Sequence, residues 1–250
     1  MIAAGTRPSP CAAQGVREQW PRLSEDPPMT RAPRDAAKDI DVRSLFPTPL
    51  VIARAPMTEA DNARLAATIL ARESKGRSVA HSNLLGWQSA DDFTAWGGAE
   101  GDKVIAFARA LADRLTGDRA GNRVAVDWFV NAWANVNRTG HSNQIHAHPG
   151  AAWSGCYYVD DGGIGADPTL GGGFEVMDPR GLAPAMYAPE LAPALGGCQT
   201  MGGSEVITPA TGTMLLFPAW LMHGVRPYHG DRARISIAFN FALPAAGSHG

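Results

Sequence analysis

Seven histidines stand in this 250-residue chain, and two of them, His146 and His148, are separated by a single residue. On an extended segment, positions i and i+2 point to the same face, so both imidazoles converge on one point. Pro149 and Gly150 follow at once and end the segment. An HxH pair alone is a weak metal signal. It gains force from His223, which lies beyond the apolar stretch GTMLLFPAWLM. Two neighbouring ligands plus one from a later strand is the usual economy of a facial metal site, with three ligands on one side and open positions on the other for chemistry. His81, His141, His229 and His249 have no such partners and read as surface or satisfied core histidines.

Arg234 is the second residue of interest. In RISIAFNF, Ile235, Ile237, Phe239 and Phe241 share one face of a strand, and Arg234, Ser236, Ala238 and Asn240 share the other. The guanidinium therefore projects among small and polar side chains, where burial demands an anionic partner. No acidic neighbour on that strand supplies one, and a bound carboxylate held bidentately would. The intervening RPYHGD reads as a turn. If it closes a symmetric hairpin, His223 and Arg234 face each other across two paired strands. A salt bridge to a distant Asp or Glu is the alternative.

These residues need a scaffold, and the chain has a pattern for one. Thr58 is a good N-cap with Asp61 in a capping-box position. It opens a helix with Leu65, Ile69 and Leu70 on its apolar face and Gly76 at its end. A second helix runs from about Glu100 to Leu115, with Val104, Ala108, Leu111 and Leu115 on one side. From Arg123 the period changes to two. In RVAVDWFVNAWANVN, Val124, Val126, Trp128, Val130, Ala132, Ala134 and Val136 alternate with Asp127, Phe129, Asn131, Trp133, Asn135 and Asn137. Short strands follow at SGCYYV, GFEVMD, EVI, TMLLF, around His223 and at RISIAFNFA, separated by Gly- and Pro-rich turns. Two helices followed by a run of strands predict a mainly β protein with supporting helices, in an antiparallel sandwich. An earlier strand is expected within VRSLFPTPLVIARA.

At these residues the chain resembles the 2-oxoglutarate/Fe(II)-dependent oxygenase superfamily, specifically a group of bacterial and phage oxygenases distantly similar to prolyl hydroxylases. The matching pieces are LFPTPL at 45–50, AWANVNRTG at 132–140, HAHPG at 146–150, SGCYYV at 154–159, DPRG at 178–181, LLFPAWLMHGV at 215–225 and RISIAFN at 234–240. The resemblance implies a double-stranded β-helix, the jelly-roll fold also seen in cupins. It implies Fe(II) and 2-oxoglutarate as cofactors, with O2 as co-reactant. It makes His146 and His223 metal ligands and Arg234 the grip on the distal carboxylate of 2-oxoglutarate. Tyr158 matches a tyrosine that assists there, and Ser236 shares the face of Arg234. The family usually carries Asp or Glu two residues after its first histidine, where this chain has His148. Either His148 is the third ligand or a carboxylate such as Glu175 or Asp178 takes that place. The implied reaction is hydroxylation of a small molecule, amino acid or peptide, with release of succinate and CO2. Two rival readings are a three-histidine dioxygenase without 2-oxoglutarate and a non-catalytic jelly-roll binding module. Neither explains both Arg234 and the histidines.

Composition narrows the rest. The chain is 45% hydrophobic with a net charge of −2, which suits one globular domain and provides no basic stripe for nucleic acid. No apolar run is long enough for a membrane span. Cys11, Cys156 and Cys198 are an odd number with no CxxC spacing, so a reducing, cytoplasmic setting is expected, with Cys156 as a buried filler. Residues 1–40, rich in Pro, Arg, Ala and Asp, read as a disordered extension, with Met29 as an alternative start, and 41–250 as the oxygenase domain. The loop-like stretch 181–203 reads as an active-site lid. A homodimer is compatible with the sequence.

Overall fold

Strand-forming residues with one apolar and one polar face can bury the apolar face only against another layer. In the computed structural model, which describes residues 45–79, 81–181 and 202–244, eleven strands do so in two sheets. They are β1 (Val51–Arg54), β2 (Asn83–Leu84), β3 (Trp87–Gln88), β4 (Phe129–Asn137), β5 (Ser142–His146), β6 (Trp153–Asp160), β7 (Phe174–Met177), β8 (Ser204–Ile207), β9 (Thr213–Pro218), β10 (His223–Val225) and β11 (Arg234–Ala242). The major sheet has the order β1-β9-β6-β11-β4-β3 and the minor sheet β2-β5-β10-β7-β8. All named pairings are antiparallel. The residues from Phe46 onward form one compact unit. The fold is the expected double-stranded β-helix with helical support.

The helices cover the outer face of the major sheet. α1 (Glu59–Glu73) begins at the Thr58 cap, whose side chain accepts from the Asp61 backbone while the Asp61 carboxylate accepts from the Thr58 backbone. The Thr58 hydrogen bonds, followed by Lys103, hold the Asp61 carboxyl well below the usual carboxylate range, and Arg64 also reaches it. A one-turn helix, α2 (Phe93–Trp96), precedes α3 (Gly98–Leu115). Leu65, Ile69, Val104 and Ala108 join Ala132, Ala134, Val136, Ile235, Ile237, Phe239 and Phe241 in the main core. Leu70 and Leu115, expected on the apolar faces, stay partly exposed at 36% and 41%.

Other boundaries also differ from expectation. The first strand is confined to Val51–Arg54, since Pro47 and Pro49 cannot donate to a ladder. The long strand begins at Phe129, not Arg123, although Trp128 is still buried and donates its indole N–H to Asp113. No strand partner reaches 124–128 to make a ladder there. The proposed lid and the N-terminal extension fall outside the described residues. Among the described residues, no helix is long and apolar enough to cross a membrane.

The expected hairpin between His223 and Arg234 does not form. β10 pairs with β5 and β7 in the minor sheet, whereas β11 pairs with β4 and β6 in the major one. Residues 226–233 therefore cross between the layers. Buried Tyr228 pins the crossing through its hydroxyl, 2.7 Å from the Gly162 carbonyl and 2.9 Å from that of Arg232. His223 and Arg234 still meet at one pocket, but from opposite sheets.

Candidate metal centre and anion pocket

The inner face of the major sheet is a grid fixed by register. Asn137 lies beside Arg234, Asn135 beside Ser236 and Tyr158, Trp133 beside Ala238 and Cys156, and Asn131 beside Asn240 and Ser154. Period-two alternation sends these residues inward to the pocket and their neighbours to the apolar core. The minor sheet faces this grid with His146 and His223, which are direct cross-strand partners on β5 and β10.

His148 lies two residues past the end of β5. Its backbone N–H donates to the Ala219 carbonyl at 2.9 Å, which ties the turn to the segment just before β10. The three rings come together with centroids 4.5–5.2 Å apart, and one nitrogen from each lies within 4.8 Å of the others. His146 Nδ1 sits 2.7 Å from the Gln144 carbonyl, and His223 Nδ1 sits 2.8 Å from the Leu221 carbonyl. A carbonyl only accepts, so each Nδ1 carries the proton and each Nε2 keeps its lone pair for a metal. Asn240 Nδ2 lies 3.5 Å from His148 Nδ1. Phe174 stacks on His223 and Phe217 meets it edge-on, giving an apolar wall.

Burial pushes His223 down to about 3 and His148 down to about 4, with neighbouring imidazoles contributing in the same direction. Both rings are thus neutral near neutrality, the form that ligates. An unfolded histidine takes up its proton near pH 6.5, whereas these two folded ones resist until about pH 4 and 3. Acidification below about 6.5 therefore favours the unfolded chain, and the loss levels off below the folded values. Each ring costs up to about 1.4 kcal/mol per pH unit in that window. The metal-free protein is expected to lose about 2–4 kcal/mol between about pH 7 and pH 5. Urea denaturation at both pH values measures this, and in a His148→Leu/His223→Leu double variant the loss should largely vanish.

The opposite wall has unsatisfied chemistry. Arg234 is 1% exposed, and among the described residues no carboxylate pairs with it. Among those residues its one hydrogen bond runs from a terminal nitrogen to Asn137 Oδ1 at 3.3 Å, and Nε and Nη2 have no partner there. The guanidinium carbon lies 5.0 Å from the Tyr158 ring centre. The Tyr158 hydroxyl and Asn135 Oδ1 are also buried without partners, and burial raises the Tyr158 phenol well above its ordinary range. Leaving such groups unpaired in a low-dielectric pocket costs several kcal/mol. A carboxylate ligand would satisfy both the guanidinium and the phenol, so the residues present fit an anionic cosubstrate.

Sequence positions 131–240 match the family described as "Putative 2OG-Fe(II) oxygenase". Over those residues the chain is a distant match to the 2-oxoglutarate/Fe(II) oxygenases. The metal and cosubstrate of the oxygenase are accordingly Fe(II) and 2-oxoglutarate. Solved structures share its fold. A prolyl-4-hydroxylase from Pseudomonas putida aligns with a TM-score of 0.53 at 13% identity, covering 79% of this chain and 94% of that one. A Trichoplax adhaerens prolyl hydroxylase, solved with a hypoxia inducible factor oxygen degradation domain peptide fragment, gives 0.55 at 13% identity, covering 78% and 83%. AviO1 from Streptomyces viridochromogenes Tue57 gives 0.50 at 16% identity, covering 80% and 91%. No curated protein matches the oxygenase.

The side chains around the site divide between pocket and core. Trp153 packs on the core and donates to Thr116, away from the pocket, whereas Asn135 does line it. Cys156 is half-buried on the pocket face, with its thiol pushed up by burial. Glu175 is engaged by Arg226 and Ser204, and Asp178 by Arg180 and the Gly202 N–H. Neither carboxylate belongs to the histidine cluster. Sequence reasoning missed Asn137 as the partner of Arg234, Trp133 beside His148, and His81 on a neighbouring cavity wall. Only the alternation of β4 pointed toward the first two.

Proposed function

We propose that the oxygenase hydroxylates a small molecule, amino acid or peptide, using His146, His148 and His223 to hold Fe(II) and Arg234 to hold 2-oxoglutarate. The observation that carries this reading is the buried Arg234, without a counter-ion among the described residues, on the wall opposite the three imidazoles. Bound together, Fe(II) and 2-oxoglutarate would supply the oxidising chemistry with O2, with succinate and CO2 as co-products.

The chain's own residues bind and orient. The His146 and His223 carbonyl contacts fix ring orientation and the neutral tautomer. Arg234 anchors the distal carboxylate, with Tyr158 donating from the adjacent strand and Ser236 between Tyr158 and Asn135 in the same row. Phe174 and Phe217 exclude water from the His223 side. His148 serves as third ligand in this reading, since the nearby carboxylates have partners of their own. A reducing compartment suits Fe(II) and the free Cys156 alike.

The test is turnover. Full-length protein loaded anaerobically with Fe(II) and then given 2-oxoglutarate and O2 is expected to release succinate. Amino acids, peptides and metabolites are then screened for those that accelerate release and gain oxygen by mass spectrometry. Stoichiometric iron binding with no succinate from any mixture would overturn the reading in favour of a site that does not use 2-oxoglutarate.

A further inference from the structure

A second cavity of about 490 Å³ shares Ser82, Trp133, His146 and His148 with the anion pocket. Its charge is of the opposite kind. The inner pocket carries Arg234, but no Lys or Arg lines the outer cavity, whose wall instead carries the Asp91 carboxylate. The Asp91 backbone is fixed, its carbonyl accepting from the Ala132 N–H of β4. Its side chain is exposed and has no hydrogen bond or ion pair among the described residues. The neighbouring Asp92 differs, being engaged by Arg72 and the Trp96 indole. His81 is the other titratable group on this wall beyond the metal-site histidines.

The same cavity holds amides waiting for a partner. Gln88 is only 6% exposed, yet its side-chain amide makes no hydrogen bond among the described residues. Half-buried Asn131 likewise has none, and it stands in the strand row next to Trp133. Neither amide is among the fully buried unpartnered groups, so both open onto the cavity, where a ligand or water can complete them.

We infer that this cavity is the substrate cleft and that it selects a substrate carrying a protonated amine next to hydrogen-bonding amide groups. Asp91 receives the ammonium, Gln88 and Asn131 read the amide groups, and the Trp133 ring forms the wall shared with the anion pocket. Charge then sorts the two ligands. The dianionic cosubstrate goes to Arg234, and the acidic outer wall repels it while attracting a cation. The inference rests on the oxygenase reading for calling the ligand a substrate, but its binding chemistry needs neither metal nor cosubstrate.

The experiment uses ligand-observed saturation-transfer NMR on the metal-free full chain, with three matched sets: amino-acid amides, which are cationic; N-acetyl amino-acid amides, which are neutral; and N-acetyl amino acids, which are anionic. The amides are expected to bind best and the N-acetyl amino acids not at all. Asp91→Asn should weaken the amides by about fivefold, the scale of one solvent-screened charge pair, and leave the neutral set and 2-oxoglutarate unchanged. Gln88→Leu should weaken cationic and neutral sets alike. Equal binding of the anionic set, indifference to Asp91→Asn, or no binding by any set at millimolar concentration each overturns the inference. If the amides bind as expected but 2-oxoglutarate does not bind the iron-loaded protein, the cleft stands and the oxygenase reading falls.

Discussion

Replacing Arg234 with Met is expected to abolish measurable 2-oxoglutarate binding while raising the stability of the ligand-free protein. The affinity loss should be about 2–4 kcal/mol, the scale of removing one member of a buried charge-assisted pair. The stability gain follows from the other side of the same observation. In the ligand-free state the guanidinium is 1% exposed with Nε and Nη2 unpartnered, so an apolar side chain of similar length removes a desolvation penalty. Titration calorimetry with the iron-loaded protein and thermal melts with and without 2-oxoglutarate measure both. Wild type should gain melting temperature with ligand, and the variant should not. Arg232 is the control. It is exposed and engages Asp160 at 3.0 Å, so Arg232→Ala should leave cosubstrate affinity unchanged. If Arg232→Ala costs affinity and Arg234→Met does not, the anion sits elsewhere.

The second large effect concerns the metal. Wild type should bind about one Fe(II) per chain, and His146→Ala or His223→Ala should eliminate binding. These two are cross-strand partners, so each loss removes one arm of a preformed pair. His148→Ala should weaken iron by at least about tenfold, losing one of three donors. His148→Asp should retain iron, because a carboxylate there restores the commoner two-histidine, one-carboxylate triad. Glu175→Gln and Asp178→Asn should bind iron normally, since both carboxylates are committed to arginines. Metal analysis after anaerobic loading and desalting reads the wild type and all six variants. Full occupancy in both the His146 and His223 variants would sink the assignment, and normal binding by His148→Ala with loss in Glu175→Gln would move the third ligand to the carboxylate.

Much of this was legible in the chain itself. Period-two alternation sorted β11 into an apolar face and the row Arg234, Ser236, Ala238, Asn240, because side-chain direction in a strand depends on residue parity alone. The Thr58–Asp61 cap was equally local, needing only two residues three apart. The HxH spacing already placed two imidazoles together.

What local pattern could not supply was which strands become neighbours. The turn at 226–233 looks like a hairpin, but it crosses from one sheet to the other. In the crossing β10 and β11 lie in different sheets, each between two partners, and Tyr228 is buried. The sequence determined the residue types and the face each occupies. Tertiary structure alone decided that His223 and Arg234 face each other across the sandwich, that Asn137 holds Arg234 where no acid does, and that Asp91 and Gln88 share a wall with Trp133. The physical reason is that alternation is set within a strand by backbone geometry, while sheet partnership is set between distant segments by burial and ladder hydrogen bonding.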